Sequence, residues 1–175
     1  MKRSFILAAI ILLASFSSVL VAQQPTQVKN QSSDQPYKVH ATKITLGNAA
    51  YAQKVLWAWK YYDNNTMDKG TDLFADDIVA TLPDGTLIKG KENFLKGMQD
   101  YRNTFSSAIS DVAACTTLKS PDDPDREIVT IWGMETDTSK DGTVTKVHLN
   151  EVWFFNKQGK VVEFHQLAAK DAPDK

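Results

Sequence analysis

Three residues in the last third of the chain have side chains suited to proton transfer: His148, Glu151 and His165. An imidazole titrates near neutral pH, and a neighbouring carboxylate raises its pKa and fixes its tautomer, as in a general-base pair. We therefore predict that His148, or Glu151 together with His165, is catalytic if the protein is an enzyme. An ordinary salt bridge between Glu151 and His165 is the alternative for that pair.

These residues lie in the strongest β-forming stretch of the chain, His148–Ala169, which is rich in valine and aromatic residues. It contains a turn that ends in Gly159, where a left-handed glycine has no steric cost. This turn predicts a hairpin in which Asn156 faces Lys160. Counting outward then places Glu151 opposite His165, so that the two share one face of the sheet.

The same pairing places His148, Asn150 and Gln166 together on the opposite face of the sheet, beside apolar residues. A second turn, with Ser139 opposite Thr143, aligns the strand Arg126–Asp137 with this hairpin. The face without charged residues is the better core candidate, and apolar walls with a few polar groups are typical of a small-molecule pocket. We predict a cavity lined by Trp132, Met134, His148, Asn150, Phe164 and Gln166, with Tyr61 or Trp57 of the first helix as its lid.

Two alternatives concern these faces. The polar residues His148, Asn150 and Gln166 could simply satisfy one another at the rim of a filled core. The opposite face, with Trp153 and Phe155, is too apolar to be left bare and predicts a homodimer through the outer sheet face.

The order of elements predicts an α+β fold, with helices on one face of an antiparallel sheet. Periodicity and turn residues predict, in chain order, a helix (48–62), a shorter helix (66–75), a short hairpin (78–88), a long helix (91–105) and four strands (108–118, 126–137, 144–156 and 160–169).

The N-terminus has the layout of a secretory signal, since Lys2 and Arg3 precede an apolar run and a small-residue end at Ala22. We predict a signal peptide (1–22), a disordered linker (23–44), one domain (45–170) and a polar tail (171–175). The mature protein is then exported, to the periplasm or the medium, and has no membrane segment after cleavage.

Composition argues against several partner classes. The formal net charge is −1, whereas nucleic acid needs a basic surface. Cys115 is the only cysteine, and His148 and His165 are predicted on opposite faces, so no metal site is expected. We predict no cofactor, and an unknown small apolar molecule as the ligand.

Several segments resemble the nuclear transport factor 2-like superfamily, and within it the SnoaL-like polyketide cyclase and ketosteroid isomerase group. The segments run WKYYD (59–63), LFADDI (73–78), LIKGK (87–91), EVWF (151–154) and GKV (159–161). The resemblance implies a cone-shaped roll, in which a strongly bent sheet wraps around two to three N-terminal helices and leaves a pocket at its open end.

Two positions depart from the proton-transfer pattern that the resemblance implies. Leu82 precedes Pro83, where isomerase-like members have an aspartate, and Ala169 stands near the end of the last strand, where cyclases often have an acid. We therefore favour a domain that holds a small, mostly apolar ligand. An isomerase, cyclase or dehydratase using a histidine, and a non-catalytic dimerising or partner-binding domain, are the alternatives.

Overall fold

Two α-helices and a short 3₁₀-helix pack against a seven-stranded sheet in the computed structural model, which describes residues 36–170. In chain order the elements are β1 (Thr45–Leu46), α1 (Ala49–Asp63), the 3₁₀-helix (Met67–Leu73), β2 (Phe74–Thr81), β3 (Leu87–Lys89), α2 (Lys91–Arg102), β4 (Phe105–Ser120), β5 (Asp123–Ser139), β6 (Val144–Asn156) and β7 (Val161–Lys170). The predicted α+β class is confirmed.

The strands follow the order β1-β4-β5-β6-β7-β2-β3. All neighbours are antiparallel except β2 and β7, which run parallel. The sheet is therefore mixed rather than wholly antiparallel, and this parallel pair brings the hairpin of β2 and β3 beside the last strand.

The predicted signal peptide, most of the predicted linker and the tail after residue 170 lie outside the described residues. Within residues 36–170, no helix has the length and apolar character needed to cross a membrane.

Helix α1 supplies most of the helical contribution to the core. Asn48 caps it, since its side chain accepts a 3.0 Å hydrogen bond from the backbone N–H of Ala50. Val55, Trp59 and Tyr62 recur at steps of four and three and are buried. This spacing turns one face of the helix toward the sheet, as predicted.

The register between β5 and β6 agrees with the turn-based prediction. The backbone N–H of Ser139 donates to the carbonyl of Thr143 over 2.8 Å. Met134 consequently pairs with His148, and Trp132 pairs with Asn150.

The register between β6 and β7 is one residue out from the prediction. The turn itself is as expected, since Asn156 N–H donates to Lys160 O over 2.9 Å and Gly159 has a φ of 69°. Phe155 pairs with Val161, but the next residue, Phe154, pairs with Glu163. A β-bulge therefore inserts one extra residue into β7 and shifts all later pairs.

The bulge separates the predicted Glu151–His165 pair. Glu151 lies opposite Gln166, and His165 lies opposite Val152. Because adjacent residues of a strand point to opposite sides, the two side chains occupy different faces of the sheet. The predicted general-base pair was wrong for this reason.

The assignment of core and outer faces was also wrong for β5 and β6. The inner face buries Val129, Ile131, Leu149, Trp153, Phe155, Val161 and Phe164. The face chosen for the core points outward, and Trp132 on it is 41% exposed. The prediction took the face without charged residues as the core. It was wrong because three acids, Glu135, Asp137 and Glu151, are buried on the inner face.

The same inversion corrects the predicted dimer surface. Trp153 and Phe155, which were assigned to it, are 5% and 0% exposed because they pack in the core. They are not available for contact with a second copy.

Candidate functional site

A cavity of about 610 Å³ lies between the helices and the inner face of the sheet. Its walls come from the C-terminal half of α1, the 3₁₀-helix, α2, the β2–β3 hairpin and strands β4 to β7. Most lining side chains are apolar, including Met67, Phe74, Leu82, Ile88, Phe94, Leu95, Met98, Leu149, Trp153 and Phe164. A cavity of this size and character suits a small, mostly apolar molecule.

Glu151 is a buried carboxyl group on the wall of this cavity and is 4% exposed. Its Oε2 accepts hydrogen bonds from the indole Nε1 of Trp59 (2.6 Å) and of Trp153 (3.1 Å). Its Oε1 accepts a 2.8 Å bond from Nε2 of Gln166. Three donors on three elements, α1, β6 and β7, therefore hold the carboxyl in one orientation.

The environment of Glu151 changes its acidity. Burial raises the pKa of this carboxyl, while the hydrogen bonds from Gln166, Trp59 and Trp153 act in the opposite direction. A carboxylate with a raised pKa is a stronger base than an ordinary glutamate and is suited to accept a proton from a bound molecule.

Glu135 is a second acid on the cavity wall, and it has different neighbours. It is 8% exposed and lies two residues from Asp137 on the inner face of β5. Burial and the adjacent Asp137 raise the pKa of Glu135 to about 9. The Glu135–Asp137 pair therefore shares a proton at neutral pH, and this proton can form a hydrogen bond with the Asp137 side chain, whose Oδ1 otherwise has no partner within residues 36–170.

Arg102 is a buried cation near this acidic pair. It is 4% exposed, and its guanidinium donates to the main-chain carbonyls of Tyr62 (2.8 Å), Asp63 (2.9 Å) and Phe105 (3.2 Å). Its charge opposes the effect of burial on the pKa of Asp137. Arg102 thus ties the end of α1 to the start of β4 and balances part of the buried negative charge.

Asp63 ends α1 beside the cavity. Its carboxylate accepts a 2.7 Å bond from the hydroxyl of Ser110 on β4, which itself lines the cavity. The interaction joins the helix to the sheet at the same end as Glu135, because Ser110 pairs with Glu135.

Four of the predicted site residues share this cavity: Tyr61, Glu151, Phe164 and Gln166. Trp57, the other predicted lid residue, is 57% exposed. It stacks on Tyr61 with ring centroids 5.8 Å apart, so it contacts the lid from outside rather than lining the cavity.

The remaining predicted site residues lie on the outer face. Trp132, Met134, His148 and Asn150 line a separate, open groove of about 710 Å³. His165 also points outward and contacts Glu163, with 2.8 Å between Nε2 and Oε1. The inverted faces of β5 and β6 and the bulge in β7 account for this division.

Sequence reasoning missed Glu135, Trp59 and Arg102 as members of the site. A usable signal was present for Glu135, because it shares its strand parity with Val129 and Ile131, both fully buried. Trp59 lies within the predicted first helix, but nothing in its spacing indicated that its N–H donates to a carboxylate.

Within the described residues, no group of three or more histidine, cysteine, aspartate or glutamate side chains is arranged to hold a metal ion. The buried acids are spread along β5 and β6 rather than converging on one point.

No family model and no curated protein matches the chain, but its fold is similar to that of several solved structures. A type 2 hexachlorocyclohexane dehydrochlorinase (LinA) aligns with a TM-score of 0.60 and 11% identity over 72% of this chain and 90% of its own. A SnoaL-like polyketide cyclase structure from Shewanella denitrificans OS-217 gives 0.57 and 11%, over 70% and 92%.

An NTF2-like protein from Exiguobacterium sp. 255-15 gives a TM-score of 0.52 at 16% identity, over 70% of this chain and 98% of its own. Identities this low establish the fold and leave the chemistry open. The sheet order and these alignments together confirm the predicted fold: the chain has the cone-shaped nuclear transport factor 2-like fold.

Proposed function

We propose that this domain binds a small, mostly apolar molecule inside the cone. The observation that carries the proposal is the cavity of about 610 Å³, whose apolar walls surround a buried carboxyl held by three donors. An empty cavity and a buried ionisable group each reduce stability. A domain with a purely structural role would therefore be expected to fill this space with side chains.

The test is native mass spectrometry of the purified protein, followed by titration with the neutral fluorescent probe N-phenyl-1-naphthylamine. We expect a bound small molecule or saturable probe binding. Ala58 lines the cavity from α1, so Ala58→Phe should fill space and abolish binding. Gln53 is exposed on the same helix, and Gln53→Phe should leave binding unchanged. Absence of both a co-purified molecule and probe binding would contradict the proposal.

A second candidate function is proton transfer on the bound molecule, as in an isomerase or a dehydratase. It is favoured by Glu151, a cavity-lining carboxyl with a raised pKa. Glu151 takes the role that was predicted for His148 and His165, because both histidines face outward. Glu151 would take a proton from carbon next to a carbonyl, and solvent would return one.

Exchange of the α-protons of 2-tetralone with deuterium oxide, followed by NMR, tests this activity. Glu151→Gln should reduce the rate by about 100-fold or more, since general-base catalysis contributes that much. Glu163→Gln removes the same kind of side chain from the outer face and should not change the rate. Equal exchange with and without protein would rule out this second function.

We further infer that the protein is exported and that two copies associate through the outer sheet face. The export proposal rests on the signal-like N-terminal sequence. The association proposal rests on exposed apolar side chains of that face, Ile109 (63%), Trp132 (41%) and Leu167 (63%). Sedimentation velocity should show a dimer for the wild type and a monomer for Trp132→Arg. A monomeric wild type would contradict the association.

A further inference from the structure

Both indole donors beside Glu151, and one amide N–H of Gln166, are already engaged. The indole groups of Trp59 and Trp153 each have a single N–H, and both donate to Glu151. Nε2 of Gln166 donates to the same carboxyl. A ligand that entered this end of the cavity would therefore meet an acceptor whose nearby donors are occupied.

The buried cation of the region is engaged in the same way. Arg102 directs its Nε and both terminal nitrogens at main-chain carbonyls at the end of α1 and the start of β4. Among the described residues that line the cavity, Lys170 is the one cationic side chain, and it is exposed at the end of β7. The interior of the cavity thus offers no buried cation to an anionic ligand.

Glu135 is the acid on the wall that lacks donors. It is more than nine-tenths buried and lines the cavity, and within residues 36–170 its hydrogen bond is to another acid, Asp137. Several other titratable or charged groups act on this pair from neighbouring elements: Asp63 and Tyr62 of α1, Tyr101 and Arg102 of α2, and Glu151 of β6. Two of them, Asp63 and Glu151, are carboxyl groups, and the one cation, Arg102, is directed at main-chain carbonyls. The four carboxyl groups of this cluster therefore favour an added positive charge over an added negative charge.

We propose that the cavity selects an apolar molecule that bears a protonated amine, with the carboxyl group of Glu135 as the partner of the ammonium. The proposal rests on the apolar-ligand function above and adds the charge of the ligand to it. An ammonium supplies donors where the walls present acceptors, and it favours the ionised form of Glu135. Because the Glu135–Asp137 pair shares a proton at neutral pH before binding, binding of the amine should release that proton to solvent.

The test uses three ligands with one apolar body and different heads: 2-(2-naphthyl)ethylamine, 2-(2-naphthyl)ethanol and 2-naphthylacetate. Isothermal titration calorimetry at pH 7 should give the tightest binding for the amine, by about tenfold or more over the alcohol, with the carboxylate weakest. Repeating the titration in phosphate and in Tris buffer measures proton release, which we expect for the amine and not for the alcohol.

Two variants assign the effect to Glu135. Glu135→Gln should remove both the preference for the amine and the proton release while the alcohol still binds. Glu163→Gln removes an acid from the outer face and should leave the preference unchanged. Binding of the alcohol by Glu135→Gln also shows that this variant is folded.

The outcomes separate this inference from the proposed function. Equal affinities for the three compounds, or tightest binding of the carboxylate, would overturn the amine inference and leave apolar binding in place. A preference for the amine that survives Glu135→Gln would overturn the assignment to Glu135. Failure of all three compounds to bind would overturn the amine inference, and the probe titration above then decides the proposed function separately.

Discussion

The indole Nε1 of Trp59 lies 2.6 Å from Oε2 of Glu151 and donates a buried hydrogen bond to it. The two residues are 92 positions apart in the chain, so this bond fixes helix α1 against the inner face of the sheet. With the bonds from Trp153 and Gln166, it also orients the carboxyl group in the cavity. The same interaction therefore contributes both to stability and to the geometry of the site.

Trp59→Phe should reveal the strength of that interaction. The substitution keeps an aromatic ring in the core but removes one of two donors to a fully buried oxygen, and it leaves a small void. We expect a loss of about 1–3 kcal/mol in the free energy of unfolding, measured by urea denaturation. Trp57→Phe is the matched control, since Trp57 is 57% exposed, and it should cost less than about 0.5 kcal/mol. Equal losses in the two variants would contradict the role of the Trp59–Glu151 bond.

Glu135 should make stability depend on pH. Burial and Asp137 raise its pKa from 4.5 to about 9 in the folded protein. Between these values the folded state keeps a proton that the unfolded state has released, so the stabilisation is complete at low pH and is lost as pH rises. We expect the free energy of unfolding to fall between pH 5 and pH 9, by an amount on the order of a few kcal/mol.

Urea denaturation at several pH values measures this slope. Glu135→Gln should flatten it, because the amide has no proton to lose. Glu163→Gln should retain it. Asp137 contributes with the same sign, since burial raises its pKa too, so some slope should remain in Glu135→Gln. Stability that rises from pH 5 to pH 9 in the wild type would contradict the assignment.

Arg102 and Arg126 offer a comparison between a buried and an exposed guanidinium. Arg102→Met would leave the carbonyls of Tyr62, Asp63 and Phe105 without their donor, and the nearby acids without their balancing charge. We expect a loss of about 3–5 kcal/mol, as for other buried charges that lose a partner.

Arg126→Met is the control for the loss of a guanidinium. Arg126 forms exposed ion pairs with Asp123 (2.9 Å) and Glu163 (3.3 Å), which contribute about 0–1 kcal/mol. Thermal denaturation should therefore separate the two variants clearly. Similar melting temperatures would indicate that Arg102 does not hold α1 to β4.

Local signals in the sequence were sufficient for the longer helices and strands and for one register, whereas the two-residue strand β1 was not predicted. The turn at Gly142 aligned β5 with β6 correctly along the pairs that were predicted, because a short turn determines every pair that follows it. The β6–β7 turn was equally well recognised, yet one extra residue after Val161 moved every later pair by one. No residue type in β7 indicates this bulge, which lies where β7 also pairs with β2.

The site was harder to predict because it contradicts the rule that was used to choose the core face. Charged residues ordinarily mark the outside of a sheet. Here Glu135 and Glu151 are buried, since indole and amide donors hold one and a neighbouring acid shares the proton of the other. Those partners come from distant parts of the chain, so the burial of the acids follows from the fold and not from the local pattern.

Gly133 on β5 has no room for a β-carbon, because the backbone of β4 lies against it. A β-carbon at this position would lie within 3.0 Å of Cα of Val112 and would collide with the carbonyl oxygen of Asp111. Both contacts are to backbone, at the irregularity between Val112 and Ala114, so they cannot be relieved by turning a side chain. Gly133→Ala should therefore cost about 1–3 kcal/mol in urea denaturation. Gly97→Ala on α2 is the control, because its β-carbon would meet only Cδ1 of Ile88 at 3.6 Å and alanine favours a helix by about 1 kcal/mol. We expect Gly97→Ala to be neutral or stabilising, and a Gly133→Ala protein as stable as the wild type would show that the two strands can separate here without loss.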